Sequence, residues 1–97
     1  MIRVLAGMAK LTTIVTIRNR LGLHARPAME FVDCAAAFKA EVTVRRDDQT
    51  VDGKSIMQMM LLAATQGTEL EVVADGEDAQ AAIDALAKLV ESGFGED

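Results

Sequence analysis

The sequence predicts an α+β domain in which three helices cover one face of a four-stranded antiparallel sheet. Four short segments alternate polar and apolar residues as half-exposed strands do, and three others repeat apolar residues with a helical period. The order is β-α-β-β-α-β-α, and split β-α-β arrangements of this kind place the helices on one face of the sheet. The pattern does not give the order of the strands.

The first half of the chain supplies three strands and one helix. Residues 11–17 are rich in β-branched side chains and predict the first strand. A helix follows over residues 25–37, and residues 41–45 and 49–51 form two strands joined by a turn. The buried stripe of this first helix is predicted to be Ala28, Phe31, Val32 and Ala35. Cys34, inside the same helix, is interpreted as a small hydrophobic residue.

The second half supplies two helices and the fourth strand. A short helix is predicted over residues 55–64, with Gly67 in a left-handed conformation after it, and residues 70–74 form the strand. The last helix is predicted to bury Ala79, Ala82, Ile83, Leu86, Leu89 and Val90. We assign residues 10–92 to one domain, residues 1–9 to an N-terminal extension and residues 93–97 to a C-terminal tail.

Composition excludes several classes of protein. The single cysteine cannot form an internal disulfide or a zinc site by itself. Aromatic residues are only 3% of the chain and the net charge is −5, so nucleic-acid binding is not expected. No apolar run is long enough to span a bilayer, and the N-terminus lacks a signal-peptide pattern. We therefore expect a cytoplasmic monomer without membrane insertion.

Charge is distributed unevenly along the chain. Residues 1–30 carry five basic and one acidic side chain, whereas residues 55–97 carry one basic and nine acidic side chains. One interpretation is that this distribution only provides solubility. The other is that the basic side holds an anion or binds an acidic partner.

A candidate reactive site lies in residues 22–27, which read Gly-Leu-His-Ala-Arg-Pro. His24, the only histidine, lies between a strand and the start of a helix. Pro27 falls in the first helical turn, so the amides of Ala25 and Arg26 are expected to be free. A helix N-terminus attracts anions, and the fork of an arginine side chain matches phosphate oxygens. The segment therefore predicts a phosphate site beside an imidazole.

An imidazole in this position favours phosphohistidine chemistry. Neutral histidine can attack a phosphoryl group and later leave again. A metal site is disfavoured because no second His or Cys has ligand spacing, and a serine hydrolase is disfavoured because no nucleophile-elbow motif is present. No cofactor is implied. The plain alternative is that His24 is a loop histidine without any chemistry.

Ser55 has both a structural and a functional interpretation. It precedes an apolar helix, and Gln58 follows three residues later, which is a capping-box pattern. As the N-cap residue alone, Ser55 would stabilise the helix by about 1 kcal/mol. Phosphorylation of Ser55 would instead add charge to a surface without unfolding the helix.

The short helix is apolar nearly all round, and one sheet cannot bury every face of it. Met59 and Leu62 are the candidates for the core. Ile56, Met57 and Met60 form a second stripe, which predicts an adaptable docking surface.

The segment from Asn19 to Ala28 resembles the active-site signature of HPr, the histidine-containing phosphocarrier family of the bacterial phosphoenolpyruvate-dependent phosphotransferase system. The similarity continues through residues 52–57 and 65–68 and covers about residues 10–92. It implies an open-faced β-sandwich, with a four-stranded antiparallel sheet covered on one face by three helices.

The resemblance also implies a function. His24 would be phosphorylated on Nδ1 by Enzyme I, charged from phosphoenolpyruvate, and would pass the phosphoryl group to an EIIA domain. Arg26 matches the phosphate-facing arginine, and Ser55 matches the serine that HPr kinase/phosphorylase modifies in many lineages. Partners would dock on the first two helices, with Arg20 adding a charged contact. Such a protein is a carrier and not an enzyme with its own turnover.

Two alternatives remain open at this point. One is the nitrogen-related paralogue, which serves a regulatory phosphorelay instead of sugar uptake. The other is a ferredoxin-like module that binds a partner or small molecule without covalent chemistry.

Overall fold

Four strands and three helices form the described part of the chain, in the order that the sequence predicts. The structure, a computed structural model, describes residues 10–96. Its elements are β1 (Lys10–Thr16), α1 (Ala25–Ala36), β2 (Glu41–Arg46), β3 (Gln49–Asp52), α2 (Ile56–Leu61), β4 (Glu69–Asp75) and α3 (Ala79–Glu91). A short 3-10 helix, Gly93–Gly95, follows α3. The predicted extension, residues 1–9, lies outside the described residues.

The sheet has the order β1-β4-β2-β3, and every neighbouring pair of strands is antiparallel. Alternate residues of β4 face the helices, so Leu70, Val72 and Ala74 are buried while Glu69 and Asp75 are exposed. The period-2 pattern of the sequence therefore marks the covered face of the sheet. The predicted open-faced fold class is confirmed, and the structure adds the strand order that the pattern lacks.

The two long helices pack their predicted stripes against the sheet. Ala28, Phe31, Val32 and Ala35 of α1 are buried, as expected. In α3, Leu89 is only half-buried, because it borders an open groove of about 630 Å³ between α1 and α3. Cys34 lines the same groove, and its partial burial raises the pKa of its thiol. This keeps the thiol protonated, in agreement with its interpretation as a small hydrophobic residue.

Helix α2 is shorter than predicted. The sequence pattern continues to residue 64, but α2 ends at Leu61. The reason is the backbone of Ala63, which has a φ of +49° and cannot continue a right-handed helix. Met59 and Leu62 are buried as predicted, and Gly67 has the expected positive φ of +90°. The early end of α2 turns the chain towards the loop that carries His24.

The segment after α3 packs against the domain. Phe94 is 3% exposed and belongs to the hydrophobic core, whereas the sequence pattern places residues 93–97 outside the domain as a tail. The amide of Glu96 donates to the carbonyl of Gly93 at 2.9 Å. This turn brings the Glu96 side chain to the start of α1. No helix among residues 10–96 combines the length and apolarity that crossing a membrane requires.

Candidate functional site

His24 lies at the N-terminal edge of α1 and is its N-cap residue, with an extended backbone. Its amide donates to the carbonyl of Gly22 at 2.9 Å, and the preceding amide, of Leu23, donates to the carbonyl of Ala64 at 2.9 Å. Leu23 is buried, while the His24 side chain is 38% exposed. Backbone hydrogen bonds and the buried Leu23 side chain thus fix the loop, while the imidazole remains accessible to a partner.

The turn before His24 requires glycine at position 22. Gly22 has a φ of +72°, and a Cβ added there would lie 2.5 Å from the carbonyl oxygen of Ala64. Both the backbone conformation and the lack of space exclude a larger residue without rearrangement. The close approach keeps the loop that carries His24 against the end of α2.

The first turn of α1 offers two unoccupied backbone donors. The amides of Ala25 and Arg26 have no acceptor within residues 10–96, and Pro27 has no N–H. The first amide bonded within the helix is that of Ala28, which donates to the carbonyl of His24 at 3.0 Å. No acidic residue lies in this turn. Free amides and a helix dipole at this position would favour an anion beside the imidazole.

Arg26 adds a positive charge to this site. Its Nη1 donates to Glu30, one helical turn later, at 2.7 Å, and its Nη2 donates to Glu96. The side chain is 54% exposed. The two carboxylates therefore orient the guanidinium, and Glu96, which also contacts the His24 ring, holds it beside the imidazole.

Glu96 contacts the imidazole directly. Its two carboxylate oxygens lie 3.0 and 3.1 Å from Nε2 of His24, and Asn19 donates to one of them at 2.9 Å. The hydrogen bond from His24 lowers the pKa of Glu96 below its ordinary value, and the bonds from Asn19 and Arg26 act in the same direction. Glu96 therefore remains ionised next to the ring.

Asn19 connects Glu96 to the loop. The Asn19 side chain is fully buried, and its Nδ2 also donates to the carbonyl of Gly22 at 2.7 Å. The amide of Gly22 donates back to the carbonyl of Asn19 at 3.1 Å. Sequence reasoning gave no role to Asn19 or Glu96. Asn19 opens the signature segment and could have been singled out, whereas no sequence pattern marks Glu96.

The ring of His24 has one occupied and one free nitrogen. Nε2 faces Glu96, whereas Nδ1 forms no hydrogen bond within the described range of 10–96. Because a carboxylate only accepts hydrogen bonds, Nε2 carries the proton and Nδ1 keeps its lone pair in the neutral ring. The geometry supports nucleophilic attack from Nδ1.

Ser55 is the N-cap residue of α2. Its Oγ accepts a hydrogen bond from the amide of Gln58 at 3.2 Å. The Gln58 side chain does not return to the amide of Ser55, as a full capping box would require. It accepts instead from the amide of Asp52 at 2.8 Å, while the amide of Ser55 donates to the carbonyl of Asp52. The capping interpretation is confirmed in this modified form.

An exposed apolar surface lies beside the His24 loop, and we call it the α2 patch. It comprises Leu21, Ile56, Met57, Met60 and Leu61. Met57 is 81% exposed and Leu21 is 63% exposed. Arg20 is exposed next to Leu21, at the edge of the patch. The sequence analysis selected the three α2 residues Ile56, Met57 and Met60 but missed Leu61 on the same helix and Leu21 in the loop before His24.

Metal ligation is not supported in the part of the chain that the structure describes, since residues 10–96 contain no group of three or more His, Cys, Asp or Glu residues arranged to hold an ion. The site therefore consists of a histidine, two backbone amides, an arginine and a carboxylate.

Comparison with known families identifies this arrangement. Residues 11–92 match the family model described as the PTS HPr component phosphorylation site. The chain belongs to the HPr family. HPr proteins are the phosphocarriers of the phosphotransferase system, so the resemblance of the His24 segment to the HPr signature is confirmed.

Curated relatives and solved structures agree with the family match. The phosphocarrier protein HPr of Neisseria meningitidis serogroup A is 48% identical over 82 residues, which are 84% of this chain and 92% of the relative. The phosphocarrier protein NPr of Proteus mirabilis is 43% identical over 84 residues, covering 86% and 93% of the two chains. The crystal structure of HPr-C-His from Thermoanaerobacter tengcongensis superimposes with a TM-score of 0.86 at 42% identity, covering 90% and 98% of the two chains.

Proposed function

We propose that this protein is a cytoplasmic, monomeric phosphoryl carrier. Enzyme I, charged from phosphoenolpyruvate, phosphorylates His24 on Nδ1, and the phosphoryl group then passes to EIIA domains. The observation that carries this proposal is the accessible His24 ring at the start of α1, beside the unoccupied amides of Ala25 and Arg26. Membership of the HPr family supports the relay and its two classes of partner.

The transfer step uses positioning and charge. The lone pair of Nδ1 attacks phosphorus while the bond from phosphorus to the donor breaks on the opposite side. The amides of Ala25 and Arg26 and the guanidinium of Arg26 then face the phosphoryl oxygens. The N–P bond that forms can be broken again by the next acceptor. The protein accepts the phosphoryl group from one partner and donates it to the next, so it acts as a carrier and not as an enzyme.

Incubation with phosphoenolpyruvate and Enzyme I tests the carrier function. We expect one phosphoryl group on His24 that is labile in acid, stable in base and absent from the His24→Ala variant. Addition of an EIIA domain should then discharge it. Failure of Enzyme I to phosphorylate the folded protein would contradict the proposal and favour a non-covalent binding module.

Regulation at Ser55 is a second part of the proposal. An HPr kinase/phosphorylase would phosphorylate the Ser55 hydroxyl, which lies at the N-terminus of α2 next to the α2 patch. The added charge would alter docking without unfolding the helix, because a phosphate at this end is favoured by the free amides. Incubation with the kinase and ATP should label the wild type and leave the Ser55→Ala variant unlabelled. An unlabelled wild type would contradict regulation at this site.

The α2 patch is the proposed docking surface for both classes of partner. Met57 and Met60 offer flexible apolar side chains, and Arg20 offers a charge at the edge of the patch. The variant Met57→Ala should raise the KM of Enzyme I for this protein. Ile14→Ala is the matched control, because Ile14 is 56% exposed on the uncovered face of the sheet. Equal effects of both variants would argue against docking at the patch.

A regulatory relay is the alternative within the same family. The NPr relative is 43% identical and the HPr relative is 48% identical, so both remain close to this chain. The two relays differ in which Enzyme I and which EIIA react fastest. A comparison of kcat/KM with sugar-type and nitrogen-type partners therefore decides between them.

A further inference from the structure

Glu96 is the only carboxylate in the described range 10–96 that forms a hydrogen bond with the imidazole of His24. The Glu96 side chain is 14% exposed, so it is largely shielded from water. Asn19 and Arg26 each donate a further hydrogen bond to it. Three donors thus hold the carboxylate in one place, with both oxygens near Nε2.

We propose that Glu96 is a positioning residue that selects the phosphorylated nitrogen of His24. This inference rests on the proposed function and deepens it. Glu96 holds the proton on Nε2 and thereby keeps the lone pair on Nδ1. A ring that could exchange its proton freely would present either nitrogen to the donor.

The arrangement also accounts for the charge that develops during the reaction. When Nδ1 donates its electron pair to phosphorus, the leaving group departs with the electrons of its own bond to phosphorus. The proton on Nε2 stays in place, so the ring becomes a cation that carries the phosphoryl group. The ionised carboxylate of Glu96 faces this cation, as the acidic member of a catalytic triad faces its imidazolium.

The residues just before Glu96 are attached to the core by contacts that do not involve the Glu96 carboxylate. Phe94 is buried in the core and Gly93 is buried beside it, so the residues before Glu96 have their own attachment. A variant at position 96 should therefore change the ring contact while leaving the fold in place. This separates a positioning role from an anchoring role.

The first test is the protonation of the His24 ring in the unphosphorylated protein. Ring 15N chemical shifts at mildly alkaline pH should show Nε2 protonated and Nδ1 unprotonated in the wild type. Glu96→Ala should raise the fraction with the proton on Nδ1 roughly fivefold, because one charge-assisted hydrogen bond is lost. Glu96→Gln should lie between the two, since its amide oxygen still accepts. Glu30→Ala is the control, because Glu30 binds the same guanidinium but not the ring.

The second test uses phosphoramidate as the donor, which needs no protein partner. Nδ1 forms the new bond to phosphorus, and ammonia leaves as the P–N bond of phosphoramidate breaks. We expect Glu96→Ala, and to a smaller extent Glu96→Gln, to slow phosphorylation of Nδ1 roughly tenfold and to increase the share of product on Nε2. Glu30→Ala should leave that share unchanged.

The results separate this inference from the proposed function. The amide NMR spectra of Glu96→Ala and Glu96→Gln first show whether the variants are folded. If both are folded and neither changes the ratio of the two His24 tautomers or the ratio of Nδ1 to Nε2 product, the proposed role of Glu96 is wrong. Neither of these two tests uses Enzyme I. If Enzyme I failed to phosphorylate His24 in the separate carrier experiment, that result would reject the carrier function and leave the role of Glu96 untouched.

Discussion

The backbone amide of Leu23 donates a hydrogen bond of 2.9 Å to the carbonyl oxygen of Ala64. This bond joins the residue before His24 to the turn that ends α2. The loop that carries His24 and the end of α2 therefore lie side by side, although about forty residues separate them in the sequence. Three predictions about stability and transfer concern this region, and a fourth concerns Asp78 at the start of α3.

Replacement of Gly22 should be far more costly than replacement of Gly67. Gly22→Ala places a Cβ 2.5 Å from the Ala64 carbonyl at a φ of +72°. Gly67 has a φ of +90° with no atom within 4 Å of an added Cβ, so Gly67→Ala meets only the backbone strain. We expect a loss of about 1 kcal/mol for Gly67→Ala and of 3 kcal/mol or more, roughly, for Gly22→Ala in urea unfolding. Equal losses would show that the contact with Ala64 does not matter.

Arg26→Ala should slow phosphoryl transfer from Enzyme I roughly tenfold and leave the melting temperature nearly unchanged, because the side chain is half exposed. Arg26→Lys should recover part of the rate, since it keeps the charge and loses the fork. Arg45→Ala is the control, because Arg45 pairs with Glu71 on the sheet, away from the loop. If Arg26→Ala transferred the phosphoryl group as fast as the wild type, Arg26 would have no role in the transfer.

Ser55→Ala should lower the free energy of unfolding by about 1 kcal/mol, because the amide of Gln58 loses its acceptor. Ser55→Asp should retain most of the stability, since aspartate is also a good N-cap residue and its charge is favourable at a helix N-terminus. Urea unfolding of the three proteins measures the difference. If Ser55→Asp unfolded as readily as Ser55→Ala, the capping role would be refuted.

Asp78→Asn should destabilise the protein at neutral pH but not in strong acid. Hydrogen bonds from the backbone amide of Lys39, and then from that of Ala40, lower the pKa of Asp78 below its ordinary value of 3.8. A depressed pKa in the folded state contributes stability above the unfolded value, and this is lost as the pH falls through the folded pKa. The difference in melting temperature between wild type and Asp78→Asn should therefore shrink below about pH 4.

The control for this experiment is Glu77→Gln, which removes a neighbouring exposed carboxylate that has no hydrogen bond within the range 10–96. Its melting temperature should follow the wild type at every pH. A gap between wild type and Asp78→Asn that stayed constant down to pH 2 would contradict the assignment to Asp78.

Local patterns predict the elements of this fold well. The stripe of α1 and the alternation of β4 are properties of neighbouring residues, and both were correct. The predicted end of α2 is three residues late, because Ala63 has a positive φ that alanine itself does not favour. Strand order is not encoded in alternation at all, since every strand of one face shows the same pattern.

The residues of the candidate site also differ in whether the sequence alone could predict them. His24, Ala25 and Arg26 are adjacent in the sequence, so the start of one helix predicts their grouping. Glu96 lies 72 residues from His24 and belongs to no motif, so only the fold brings it to the ring. Asn19 acts through a buried amide, and a sequence does not reveal which polar residues are buried.

The central position of β4 limits how far this protein can be shortened. β1 and β2 never touch each other, and each relies on a strand that comes much later in the chain. A piece that ends before Glu69 would keep β1, α1 and α2, but its only paired strands would be β2 and β3. A two-stranded hairpin alone is too small to persist in water. The loop that carries His24 therefore cannot be transplanted as a short peptide, and any minimal version of the protein must extend through β4.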